Sequence, residues 1–205
     1  MIRMHSLLFL AISWTGWCFL HSFLISSGFS AVMKRILGRR NGYFRLFYNI
    51  FSVLSIIPVI YFQLSLEEKV IFAWNWPWAL AKYALYGAAL LLFYGGYRVY
   101  DIQYMLGIRQ IHAMNSGNYK QTEDFTQNGI LAYVRHPWYS GSILLIWAFG
   151  PLSDVSLVSK IVLTLYLITG TLLEERKLIR EYGEPYLEYR KRVPMLIPWK
   201  GRDNQ

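Results

Sequence analysis

Long apolar stretches separated by short polar ones set the frame of this 205-residue chain. Ser6 to Ser26 carries no Lys, Arg, Asp or Glu, Phe44 to Leu64 carries only Arg45, and Trp78 to Val99 carries only Lys82 and Arg98. Tyr139 to Ser153 and Leu157 to Leu173 are shorter runs on either side of Gly150-Pro151. A helix needs about 20 apolar residues to cross a bilayer. The pattern therefore predicts five membrane helices in one all-α integral membrane domain spanning 1–205. Three of them lie in 1–100. A loop, a helical hairpin and a C-terminal part follow in 101–205. From Tyr139 to Gly150 is only about 18 Å of helix at 1.5 Å per residue, so the hairpin is expected to be short.

Punctuation refines the elements. Pro58 falls inside the second run, where it removes a backbone donor and is expected to kink the helix. Trp74, Trp76 and Trp78 cluster where the chain re-enters the third run, as an interfacial aromatic belt does. Tyr100 to Val134 reads as a long polar loop, with a turn at Asn115-Ser-Gly117-Asn118. Pro137 suits the first position of a helix. Gly183 and Pro185 stop the fifth helix after Tyr182, and a short amphipathic helix, Pro185 to Arg192, follows. Val193-Pro194-Met-Leu-Ile-Pro198-Trp199 resists regular helix, because residues before proline favour extended geometry. It is expected to lie as a strap over one membrane face.

Composition agrees with a membrane chain: 55% of residues are hydrophobic, 18% aromatic and 16% charged. The net charge of +9 does not indicate nucleic acid. Of 21 basic residues, 17 fall after the first run, between the third and fourth, or after the fifth. Arg3, Lys69, Lys82 and Lys160 fall at the other ends. By the positive-inside rule the N-terminus lies outside and the C-terminus in the cytoplasm, in a bacterial inner membrane. The first run is too long for a signal peptide and is followed by Lys34, Arg35, Arg39 and Arg40, a stop-transfer pattern. Cys18 stands alone, so it reads as a small packing residue.

Candidate chemistry gathers near the hairpin. Arg135-His136-Pro137 precedes the fourth run, and Glu174-Glu175 ends the fifth. The two ends meet if the hairpin folds back. Ionisable groups at membrane depth are costly and tend to mark function. Set against this, Glu174-Glu175-Arg176-Lys177 also fits a solvated helix end, and His136 fits a helix-start residue. His5, His21, His112 and His136 have no close metal-ligand spacing, and no second Cys exists. No G-x-G-x-x-G follows a strand, and no G-x-S-x-G elbow occurs. Gly95-Gly96 reads as a site of close helix packing. Trp14, Trp17 and His21 form one stripe, read as a helix contact.

The ordered set Gly129-x5-Arg135-His136-Pro137-x-Tyr139-x-Gly141, then Glu174-Glu175, then Tyr182-Gly183-x-x-Tyr186-x-x-Tyr189 and Val193-Pro194-x-x-Ile197-Pro198 resembles the isoprenylcysteine carboxyl methyltransferase and phospholipid methyltransferase superfamily. The likeness is strongest from Asn128 to Trp199. His21-Ser22, Tyr43-Phe-Arg45-Leu-Phe-Tyr48-Asn49 and Leu106-Gly-Ile-Arg109-Gln110 resemble its bacterial branch near methanethiol S-methyltransferase. The resemblance implies S-adenosylmethionine as methyl donor, bound under the strap. His136, Tyr139, Gly141, Glu174, Glu175, Tyr186 and Pro194 match its cofactor positions. Arg135, His136 and Arg192 are the implied catalytic residues.

These residue types suit that donor. A carboxylate can hold an amino group, Arg135 or Arg192 a carboxylate, and tyrosine rings a sulfonium. The expected acceptor is a small or apolar thiol, or an isoprenylcysteine-like carboxylate reaching the site from membrane lipid. A Gly-x-Gly before the hairpin, seen in phospholipid N-methyltransferases, is missing. The competing reading is a non-catalytic membrane protein that assists a respiratory or transport complex on the same scaffold.

Overall fold

The computed structural model describes residues 2–116 and 125–198. The turn expected at Asn115–Asn118, Lys120, and Trp199 with the basic residues after it lie wholly or partly outside them. Among these residues the architecture is all-α apart from one two-stranded ribbon. Among the described residues, four stretches are long and apolar enough to cross a membrane: Arg3–Ile25, Ser27–Leu64, Trp78–Tyr97 and Asp154–Tyr182. Five were expected. The fourth apolar run forms a helix of only 12 residues. At about 1.5 Å per residue this is well short of a bilayer core. Contacts divide the chain into two compact units, and they cut across the order of the apolar runs.

The first unit takes residues 2–68 and, of the following segment, 101–116. It holds α1 (Ile2–Ile25), α2 (Ser27–Leu37), a 3-10 turn over Gly38–Tyr43, α3 (Phe44–Leu64), α5 (Ile102–Leu106) and α6 (Ile108–Ser116). Ser26 separates α1 from α2 and accepts from the Phe29 amide, a helix-start signal. α3 runs unbroken through Pro58. The segment read as a polar loop after Tyr100 instead opens with two short helices. Asp101 caps α5 by accepting from the Tyr104 amide at 3.0 Å, and Gly107 ends it at φ +89°. A side chain at Gly107 would also meet the Leu46 backbone at 2.7 Å, so glycine is required twice over.

The second unit takes residues 69–100 and 125–198. It holds β1 (Val70–Phe72), α4 (Trp78–Tyr97), a 3-10 turn over Gly129–Ala132, α7 (Pro137–Ala148), β2 (Leu152–Ser153), α8 (Asp154–Tyr182) and α9 (Glu184–Arg192). β1 pairs antiparallel with β2, a ribbon with no sequence forecast. Missing side chains let α4 and α7 approach closely. A Cβ at Gly96 would meet the Trp138 indole at 2.1 Å, and one at Gly141 would meet the Ala89 carbonyl at 3.3 Å. Gly95-Gly96 thus serve packing, as expected.

α8 starts at a capping box formed by Ser153 and Ser156. One turn and a half on, buried Lys160 reaches back. Its Nζ donates to the carbonyls of Trp147 at 3.1 Å and Phe149 at 2.9 Å. These are orphan acceptors at the end of α7, where the helix dipole is negative.

Candidate functional site

α7 begins at His136, whose following proline supplies the fixed φ of a first helical turn. α8 runs 29 residues and brings its C-terminal part back to that start. The two ends of the hairpin therefore meet, as the sequence led us to expect. The centre is Glu175, whose side chain is 4% exposed. Arg135 Nε donates to its Oε1 at 2.6 Å, and Arg190 Nε lies 3.1 Å from its Oε2. The Tyr186 hydroxyl donates to Oε1 at 3.2 Å, and His136 Nε2 stands 3.3 Å from the same atom. Three donors converge on Oε1 and one arginine stands at Oε2 of this buried carboxylate, which offsets its desolvation.

Arg135 is also engaged by backbone. Its terminal nitrogen donates to the carbonyls of Arg190 and Val193. Its amide donates to Pro194 O at 3.0 Å, and the His136 amide donates to Met195 O at 3.2 Å. Ser140 Oγ donates to Leu196 O at 2.6 Å. The proline-interrupted strap over 193–198 is thus stitched to the start of α7 by its own carbonyls. Arg135 was expected to face a donor's carboxylate; here its Nε and one terminal nitrogen are engaged by the protein.

Glu174 points elsewhere, since neighbouring helix residues project about 100° apart. Its side chain is 42% exposed, and its carboxylate stands 3.9 Å from His136 Nδ1. Tyr139 and Tyr100 both lie near enough to feel its charge. Tyr139 packs edge-on against His136 with ring centroids 5.8 Å apart. His136 therefore stands between two carboxylates of different character: Glu175 closed, Glu174 accessible beside tyrosine rings.

The remaining expected residues separate. Tyr186 is buried and bonded to Glu175. Pro194 contributes a carbonyl, and Gly141 serves α4 packing. Arg192 is exposed and donates to Gln127 at 3.1 Å, away from the Glu175 cluster. Arg190, not singled out in the sequence, is the α9 arginine beside Glu175. Tyr186, Tyr189 and Val193 are the buried positions of this segment. Arg190 lies one turn beyond Tyr186 on that side, and the i, i+3, i+4 rule could have selected it. Burial raises the phenols of Tyr186 and Tyr189, with Glu175 adding to both, so they remain hydroxyl donors. Burial, then the charge of Glu174, raises Tyr100 likewise.

In the other unit, the two front-half motifs meet. Arg45 Nε and Asn49 Nδ2 both donate to Met105 O, at 3.1 and 3.0 Å. Arg45 also lies 5.1 Å from the Tyr104 ring centre. Tyr48 OH lies 2.8 Å from His21 Nε2, and Ser52 Oγ lies 3.1 Å from Nδ1. Trp17 stacks on His21 and donates to Ser55, and Trp14 donates to Gln63. The Trp14-Trp17-His21 stripe is a polar seam between α1 and α3.

An all-α membrane scaffold with a buried Arg-His-Glu cluster at the base of a hairpin is the class defined so far. The chain belongs to the NnrU protein family, whose model matches residues 8–192. It is 35% identical over 98 residues to methanethiol S-methyltransferase of Crocosphaera subtropica, covering 48% of this chain and 38% of that protein. It is 27% identical over 192 residues to methanethiol S-methyltransferase of Mycobacterium tuberculosis, covering 87% of this chain and 78% of that protein. A protein-S-isoprenylcysteine O-methyltransferase of Schizosaccharomyces pombe is 38% identical over 76 residues, covering 35% of this chain and 31% of that protein. The chain spans about four-tenths of the length of the first of these. No solved structure matches.

Proposed function

We propose that this protein is a membrane-embedded methyltransferase using S-adenosylmethionine, with a small or apolar thiol as acceptor and an isoprenylcysteine-like carboxylate as the alternative. The observation that carries the reading is the split between Glu174 and Glu175 around His136. Glu175 is enclosed by Arg135, His136, Tyr186 and Arg190 and so joins the hairpin to α9. Glu174 retains an accessible carboxylate beside Tyr139 and Tyr100. A carboxylate among tyrosine rings suits a ligand with an ammonium and a sulfonium. The donor, when bound, supplies an electrophilic methyl group.

The chain's own part is positioning and proton handling. If His136 donates Nε2–H to Glu175, Nδ1 is the basic nitrogen, on the Glu174 side. A thiol arriving there loses its proton to Nδ1, and the resulting thiolate is the nucleophile. The raised tyrosines are too weakly acidic to replace it as bases near neutral pH. The names of the relatives from Crocosphaera and Mycobacterium support a thiol, and that from fission yeast supports a carboxylate.

Calorimetry with S-adenosylmethionine on detergent-purified protein tests the reading. Glu174→Gln is expected to weaken binding about ten- to a hundredfold, as loss of a charged hydrogen bond of about 1.5–3 kcal/mol requires, with unchanged thermal unfolding. With a thiol acceptor, turnover is expected to rise with pH toward about 8.5; a carboxylate acceptor gives no such rise. His136→Ala lowers turnover in both cases. No binding of the donor by wild-type protein would support the non-catalytic reading, which the protein contacts already held by Glu175 and Arg135 favour.

A further inference from the structure

A cleft opens on α8 against the outer side of the cluster just described, sharing Glu175 and Arg190 with it. It has a volume of about 250 Å³ and is lined by Leu172, Glu175, Arg176 and Ile179 of α8 and by Arg190 of α9. The four α8 residues are spaced by three and four, so they form one helix face. Glu175 is the carboxylate of this face, and it is already matched by Arg135. Arg190 Nε lies 3.1 Å from its Oε2, with 38% of the arginine side chain exposed. Arg176 is exposed and has no ion-pair partner among the described residues. Positive charge is therefore in excess around the cleft, and guanidinium groups favour phosphate and carboxylate oxygens.

Depth selects the source of that anion. α8 starts at Asp154 and belongs to a membrane-crossing stretch. Arg176 lies about 22 residues further, or about 33 Å along the axis. A hydrocarbon core of about 30 Å ends just before it. Leu172, one turn nearer the core, is 47% exposed, and Leu165 two turns further in is 60% exposed. They continue the same face of α8 as an apolar ridge. An anion at the guanidinium groups and an acyl chain along the ridge are the two ends of one molecule.

We infer that Arg176 and Arg190 hold the phosphate of an anionic phospholipid, with its acyl chain along Leu172 and Leu165. The site pins α9 to α8 through Arg190, and so couples the strap to the lipid around it. This does not depend on the methyltransferase reading.

Native mass spectrometry of the full chain in detergent tests it, with phosphatidylglycerol, phosphatidylcholine and inorganic phosphate as probes. Phosphatidylglycerol is expected to be retained at least tenfold better than phosphatidylcholine. Arg176→Gln is expected to erase that preference without changing thermal unfolding, and Leu172→Asp to weaken retention of the lipid. Equal retention of the two lipids, or a preference that survives Arg176→Gln, overturns the proposal. Displacement of the lipid by inorganic phosphate at equal concentration makes this a free-anion site and overturns the lipid assignment. Displacement by S-adenosylmethionine makes it the donor's carboxylate site and overturns it too. Donor calorimetry on Arg176→Gln keeps the two readings apart, because its affinity is expected to stay unchanged.

Discussion

At the residue scale, two adjacent glutamates have opposite tasks. Glu175 is enclosed by Arg135, Arg190, His136 and Tyr186, while Glu174 remains part-exposed. Breaking a buried ion pair from one side typically costs about 3–5 kcal/mol, because the partner charge stays buried. Glu175→Gln is therefore expected to lower the thermal unfolding temperature strongly in detergent, where Glu174→Gln leaves it unchanged. Equal melting of the two variants would show that the cluster does not hold this unit together. The tyrosines make a separate prediction. Burial raises Tyr186 and Tyr189 in the folded state, while unfolded tyrosine ionises near about 10. A folded pKa above the unfolded one gives stability that is intact below that pH and lost as pH rises past it. A spectrophotometric titration is expected to show these phenols ionising only together with loss of helix signal. Which glutamate turns inward, and that Arg190 rather than Arg192 joins it, depends on helix phase at the junction of α8 and α9. Neighbours in sequence do not reveal that phase.

At the element scale, α7 is a short helix held at both ends. Its start is tied to the strap through the Arg135 and His136 amides. Its end is capped by Lys160. In sequence Lys160 was only one of the few basic residues on the minority side of the charge count. Its use became visible once the turn at Gly150 brought the end of α7 within its reach. Lys160→Met leaves two carbonyls without their donor, each costing about 1–3 kcal/mol when buried. The variant is expected to melt earlier and to exchange amide hydrogens faster across Trp147–Phe149. Unchanged exchange there would mean that the cap is not needed. Gly96→Ala is expected to cost about 1–3 kcal/mol by overpacking, since its Cβ would fall on the Trp138 ring. The α5 and α6 helices were hidden from the pattern because both are short, and α5 takes its support from Arg45 and Asn49 on α3.

At the scale of the whole molecule, the basic asymmetry leads us to propose an outside N-terminus and a cytoplasmic C-terminus, which requires the chain to pass from one face to the other between Arg135 and Asp154 although α7 has only 12 residues. In a Cys18→Ser background, a cysteine at Asp154 is expected to react with an impermeant maleimide on intact cells, and one at Lys120 only after lysis. The reverse pattern would place the Glu174 side away from the compartment that supplies the donor. The sequence by itself determined the all-α membrane class and most of the spans, because the cost of burying charge in hydrocarbon is written directly in the spacing of apolar residues. It also determined that Arg135-His136 and Glu174-Glu175 belong to one place, because a tight Gly150-Pro151 turn returns the second helix to the start of the first. Only the tertiary structure decided which carboxylate is enclosed and which arginine of α9 stands beside it. Those outcomes rest on helix phase, on the close approach allowed by Gly96 and Gly141, and on a lysine reaching back across a turn. They are distances between residues far apart in the chain, and no local pattern encodes them.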